Sequence, residues 1–245
     1  MKENLLDIIT ITYNNQNELN ATLNSIYHSS GFLNNNINHK VIYAGVKPNI
    51  DTSVYTRTEL IVQDGKGIYN ALNQAHKVCN SKYILFIHSG DEIHPTIEFN
   101  KIMRLLFDYN YDLVAGDIEL QKVNGEFIAF EKYSKYYGLR HGGVFFNINI
   151  YKKFFYDEDF ISAGDFEYWN RLDSLGLYKP YPLNMTVSIF KKGGLSSNKD
   201  NFINRRRERY RIIKKYKGMS VSRKFIYNAK TYFGYIYLFF KYFKK

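Results

Sequence analysis

A chain of 245 residues that is 45% hydrophobic can bury the core of one large α/β domain or two small ones. Its formal charge of +11 favours anionic partners: nucleic acid, anionic lipid or phosphorylated substrates. One cysteine, Cys79, excludes an intrachain disulfide and a multi-cysteine zinc site. No stretch has the ~18 consecutive uncharged apolar residues of a membrane span, and the opening "MKENLLDIITITYNN" is interrupted too early for a signal peptide, so a cytoplasmic location is expected.

The run "LLDIITITY" (5–13) is β-branched and almost continuously apolar, which predicts a central parallel strand covered on both faces. Asn14 to Asn17 read as turn and cap, and Leu19, Leu23, Ile26 and Tyr27 recur at helical spacing. "HKVIYAG" and "ELIVQ" follow as strands, "GIYNALNQAHKVC" as a helix and "KYILFIH" as a fourth strand. This alternation predicts an open parallel sheet with helices on both faces, whose ligands sit beyond the carboxyl ends of the strands. After a helix in "TIEFNKIMRLLFDYN", the segments "YDLVAGDIEL", "EFIAFEKY" and "GGVFFNI" are strands without intervening helices, so the second half reads as a mixed extension of the sheet. "GDFEYWNRLDSLG" returns to helix, with Phe166, Trp169 and Leu172 three apart.

The fourth strand ends in Ser89-Gly90-Asp91-Glu92. Two carboxylates, Asp91 and Glu92, leaving a buried strand after a glycine suit a hard cation, Mg²⁺ or Mn²⁺, completed by phosphate oxygens and water; the same residues also make a good turn and helix cap. His88 and His94 flank this turn at a spacing that matches no established metal geometry.

Taken together, "DGKGIYNALNQA" (64–75), "SKYILFIHSGDEIHP" (81–95), the opening "ITITYNN" and "RHGGVFFNINIYKKFFYDEDFISAGDFEYWNRL" (140–172) resemble, in order, four motifs of the family 2 glycosyltransferases of the bacterial surface-polysaccharide type. The resemblance covers about residues 5–195. It implies a GT-A fold, an open mixed α/β sheet flanked by helices, and inverting sugar transfer from a nucleotide donor, UDP in preference, with Mn²⁺ or Mg²⁺. It makes Asp91 the metal-binding aspartate and Asp165 the general base, with Asp159 and Glu167 as neighbouring carboxylates that could take that role. Thr12, Tyr13, Asn14, Tyr43, Lys66, Asn70, Asn73 and Gly90 then fall on the donor side, and His141, Glu167 and Trp169 on the acceptor side; Trp169 also reads as a core residue of its helix. The sequence departs from the family pattern after the second strand, where Tyr43 and Ala44 stand in place of a base-binding aspartate, and at Gly142, where relatives carry glutamine.

The expected organisation is a catalytic domain over 1–200, its donor half about 1–95 and its acceptor half about 96–200, followed by a basic, aromatic-rich helical tail over 201–245. On a helix of ~100° per residue, Arg223–Lys245 separates an aromatic side from a basic side, the pattern of a segment lying in a membrane interface. With "RRRERYRIIKKYK" it would bring a transferase to anionic lipid on the inner face of the cell membrane; packing against protein, including a second copy of the chain, is the alternative. No RNA-binding motif accompanies the basic stretch, so nucleic acid is not an expected partner. The expected substrates are a nucleotide-sugar donor carrying a hexose or N-acetylhexosamine and a glycan or polyprenyl-linked acceptor in capsule, O-antigen or lipooligosaccharide synthesis. An inactive membrane-associated scaffold and a sugar-phosphate nucleotidyltransferase are the rivals; the latter would need a glycine-rich basic loop where "TYNNQNE" stands.

Overall fold

The computed structural model describes residues 5–133, 139–192 and 199–216. The stretch Arg223–Lys245 lies outside them. A nine-stranded mixed sheet forms the centre. Its parallel half joins β3 (Thr58–Val62), β2 (Ile37–Ala44), β1 (Leu6–Tyr13) and β4 (Tyr83–Phe86) in that spatial order. β4 then pairs antiparallel with β8 (Val144–Asn147) and β8 with β6 (Leu113–Lys122). β6 runs parallel to β9 (Tyr181–Lys192), which closes antiparallel on the two-residue β5 (Glu92–Ile93), while β7 (Phe127–Glu131) pairs with β6 as a hairpin.

Period-two alternation sorts the side chains of β4 between two cores. Tyr83 and Leu85 point to the face covered by α1 (Gln16–Tyr27) and α3 (Phe99–Tyr109). Ile84 and Phe86 point to the face covered by α2 (Ile68–Val78), α4 (Ile148–Tyr151) and α5 (Gly164–Ser174). Burial on both faces is why β4 reads as an unbroken apolar run and β1 as an almost continuous one.

Among the described residues the expected helix and strand segments are present, with β4 ending as a ladder at Phe86, two residues early. β5, α4 and β9 were not anticipated. β9 matters most for the site, because it carries Lys191 up to the turn that holds Asp91. The first part of the basic C-terminal run forms α6 (Lys199–Lys215), which packs on the protein: Ile212 is buried against Ala163 and Phe166. No helix among the described residues is long and apolar enough to cross a membrane.

Candidate active site

Beyond Phe86, the amides of Ile87 and Ser89 still bond to Ile9 and Ile11 of β1 at 3.0 and 3.1 Å, so the chain leaves the sheet at a fixed point. It then turns tightly: the Asp91 amide bonds back to the His88 carbonyl at 2.9 Å, and Gly90 adopts φ +96°, the left-handed region that favours glycine. The buried Thr22 of α1 clamps this turn. Its hydroxyl accepts from the Gly90 amide at 3.1 Å and donates to the Asp91 carbonyl at 2.7 Å. Nearby, the Ser25 hydroxyl accepts from the Ile93 amide at 3.0 Å. Thr22→Val keeps the shape but leaves the Gly90 amide without this partner. It is expected to cost about 1–3 kcal/mol in thermal unfolding.

Asp91 Oδ1 accepts from the Lys191 amide at 3.1 Å. Burial pushes the Asp91 carboxyl up to about 7; the Glu18 carboxylate adds to this, while the Lys191 amide and the Arg140 charge oppose it. Glu92 is spent on an ion pair with Lys191. His94 is buried and bonded to Thr96 at 2.7 Å and Glu119 at 3.2 Å, and burial drives His88 down to about 3. Among the described residues, no three His, Cys, Asp or Glu side chains cluster for a metal. A cation here would therefore rest on Asp91 together with ligand oxygens, the arrangement usual for Mg²⁺ at phosphates. A partly buried carboxylate whose ionisation is held up by burial is a donor that such a cation would stabilise, so the residues fit a divalent ion.

Asp165 lies in the first turn of α5, where its Oδ1 accepts from the Phe166 amide at 2.7 Å. The approach to this helix has no cap of its own, since Ala163 stands at the cap position. Glu208 of α6 accepts instead from the amides of Ile161, Ser162 and Ala163 at 2.8, 3.0 and 2.8 Å, and the Tyr69 hydroxyl accepts from Gly164 at 2.7 Å. Burial, and then the Asp165 charge, push the Tyr69 phenol well up. Arg140, ion-paired to Glu131 at 3.0 Å, lies within electrostatic reach of both Asp165 and Asp91. His141 begins a single 3-10 turn before β8, and its Nε2 meets the Tyr156 hydroxyl at 2.7 Å. Burial lowers the His141 imidazole, with the Asp165 charge opposing. A Cβ at Gly142 would come within 2.7 Å of Ser188 Oγ, so any side chain there requires the Ser188 hydroxyl to move.

Thr12, Tyr13, Asn14 and Tyr43, four of the positions expected on the donor side, lie at the ends of β1 and β2. Thr12 is buried and pairs in register with the half-buried Tyr43, and Tyr13 is 66% exposed. Asn14, at φ +49°, accepts from the Val46 amide at 2.8 Å. Beside them opens a cleft of about 160 Å³ lined by Thr12, Asn14, Gln16, Val46, Lys47 and Pro48. Lys66 is exposed at the approach to α2, and Asp64, in the same motif, is ion-paired to Lys77 at 2.7 Å.

No family model and no curated protein sequence matches the chain. Solved structures do. A mannosyltransferase from Pyrobaculum calidifontis, in complex with GDP-Man and Mn²⁺, superposes with a TM-score of 0.63 at 14% identity, over 94% of this chain and 70% of that one. S. aureus TarS 1-349 in complex with UDP-GlcNAc gives 0.60 at 15% identity, over 87% of this chain and 67% of that one. Another TarS structure gives 0.59 at 14% identity. The fold is GT-A-like. The chain spans only 40% of that TarS chain.

Within the GT-A-like fold, three expected site residues turn out to be closed off. Trp169 is 2% exposed and stacks on Phe146 in the core, so it offers no face to a sugar. Glu167 is 1% exposed, bonded to Arg171 at 3.1 Å and to the Tyr216 hydroxyl, which removes it both as an acceptor contact and as a rival base. Asn73 spends its amide on Tyr156 and Glu158 at 2.8 to 3.0 Å, fastening α2 to that loop. Asn70 joins the same clamp more loosely, at 3.3 Å from Glu158. Two residues that hold these segments in place, Thr22 and Glu208, have no signature in the sequence. A threonine inside a helix and a glutamate inside "RRRERYR" carry no local signal; only tertiary contact singles them out.

Proposed function

We propose that the chain is an inverting, metal-dependent glycosyltransferase that moves a hexose or N-acetylhexosamine from a nucleotide-diphosphate donor, UDP in preference, to a lipid-linked or saccharide acceptor in bacterial surface glycan assembly. The observation that carries this reading is that Asp91 sits in a turn beyond β4, fixed by Thr22 and by the Lys191 amide, beside the carboxyl end of β1 in a GT-A-like sheet. The neighbours solved with UDP-GlcNAc and with GDP-Man and Mn²⁺ support a nucleotide sugar as donor.

In this reading the acceptor oxygen attacks the anomeric carbon as the bond to the nucleoside diphosphate breaks. The diphosphate leaves with that bonding pair, and the hydroxyl proton passes to the Asp165 carboxylate. Asp91 would hold Mn²⁺ or Mg²⁺, which supplies positive charge at the leaving diphosphate. Arg140, held by its ion pair with Glu131, would add only its longer-range field to that charge. Thr12 and Asn14, which line the cleft beside β1, would receive the nucleoside together with Tyr13 and Tyr43 at the same strand ends, with Lys66, Asn70 and Gly90 on the diphosphate side and His141 beneath the acceptor. The aromatic, basic stretch Arg223–Lys245 would bring the catalytic domain to the inner face of the membrane.

The test is turnover with a panel of UDP- and GDP-hexoses and N-acetylhexosamines in the presence of Mn²⁺, followed by NMR of the new linkage. Transfer with inverted anomeric configuration is expected. Retention would refute the single-displacement role of Asp165, and the absence of both transfer and donor hydrolysis would refute the enzyme.

A further inference from the structure

We infer that Glu208 is a positioning residue for Asp165, acting from α6 by filling the anion-binding backbone nest that leads into α5. The inference rests on the glycosyltransferase reading and deepens it. Three consecutive amides, of Ile161, Ser162 and Ala163, converge on a single carboxylate: the first on Oε1 and the next two on Oε2. Successive N–H groups aimed at one point form a concavity that binds anions. Here the anion is internal, since Glu208 is 4% exposed. The next amide, of Gly164, goes to Tyr69. All four amides preceding Asp165 therefore depend on side chains from two distant helices.

α6 is held where this contact requires it. Ile212 packs against Ala163 and Phe166, the Arg209 guanidinium lies 5.1 Å from the centre of the Phe166 ring, and Tyr216 bonds to Glu167. Asp165 itself is only partly buried and makes a local bond to Phe166, so its placement follows that of the backbone beneath it. A base misplaced by ~1 Å can lose about 10²-fold in rate. A charged residue in a run of arginines thus sets the geometry of the proton acceptor.

The test compares Glu208→Ala, Glu208→Gln and, as a packing control on the same helix, Ile212→Ala, all in the whole chain. Glu208→Ala is expected to lower kcat about 10- to 100-fold with the donor KM unchanged. It should also speed amide hydrogen exchange at 161–164, and formate, which can refill the nest, should restore activity where chloride does not. Glu208→Gln keeps one acceptor oxygen and should fall between wild type and Glu208→Ala; it carries the test if Glu208→Ala does not fold. Faster exchange with unchanged kcat would overturn the positioning role. So would equal kcat losses in Glu208→Ala and Ile212→Ala without rescue by formate. A wild type that transfers no sugar would overturn the glycosyltransferase reading and this role with it, while the exchange data would still report whether Glu208 holds the segment.

Discussion

Asp165→Asn is expected to lower sugar transfer by about 10²–10⁴-fold while leaving nucleotide affinity unchanged. The amide oxygen of the variant can still accept from the Phe166 amide, so the first turn of α5 keeps its bond. Stability should fall by no more than about 1 kcal/mol, the usual worth of a negative charge at a helix N-terminus. Glu167→Gln, two residues on, should behave in the opposite way. Glu167 is buried and holds Arg171 and Tyr216, so its loss should cost about 1–3 kcal/mol of stability without a comparable drop in kcat. Steady-state kinetics at saturating donor, combined with thermal unfolding, separates the two carboxylates. Equal kinetic losses in both variants would mean that α5 is merely being unfolded.

Asp91→Asn is expected to stabilise the metal-free protein above pH 7 and to abolish metal-dependent nucleotide binding. Burial lifts the Asp91 carboxyl from its ordinary 3.8 to about 7. Between these values the folded protein keeps a proton that the unfolded chain has released. The favourable contribution of the neutral acid is therefore complete below pH ~4 and is lost as pH rises through 7. At pH 8 wild type carries a partly buried charge that the variant lacks, a difference of order 1 kcal/mol once partial exposure is allowed for. Well below pH 4 the two proteins should melt alike. A cation needs the ionised carboxylate, so the metal dependence of nucleotide binding in wild type should strengthen from pH 6 to pH 8. Melting curves across this range, with and without Mn²⁺, provide the measurement. A variant that is less stable than wild type at pH 8 would contradict the burial account.

What could be read from the sequence follows from where the determinants lie. β1 and α2 are specified by their own residues: a β-branched run buried on both faces, and an apolar stripe at helical spacing. The sequence reading therefore placed β1 within one residue of its observed start. The strand-end position of Asp91 was legible for the same reason. β9 was not, because "YPLNMTVSIFKK" contains Pro182 and an Asn184 at φ +52°, and its strand character comes from pairing with β6 and β5. The helical spacing of Phe166, Trp169 and Leu172 did announce a buried face. The acceptor role for Trp169 failed because that face is packed closed against β8 and leaves no room for a ligand. Glu208 was hidden by its context, since a lone acid among arginines looks like a solvated charge until the amides of 161–163 are seen to converge on it.

Calorimetric titration of UDP and GDP decides whether Asp91 and the strand ends beside it form a metal-dependent nucleotide site. Each titration is run with and without Mn²⁺, on wild type and on Asp91→Ala. One nucleotide is expected to bind wild type only when Mn²⁺ is present, and Asp91→Ala is expected to lose this binding. Binding that is indifferent to both the metal and the substitution, or no binding of either nucleotide, would contradict such a site.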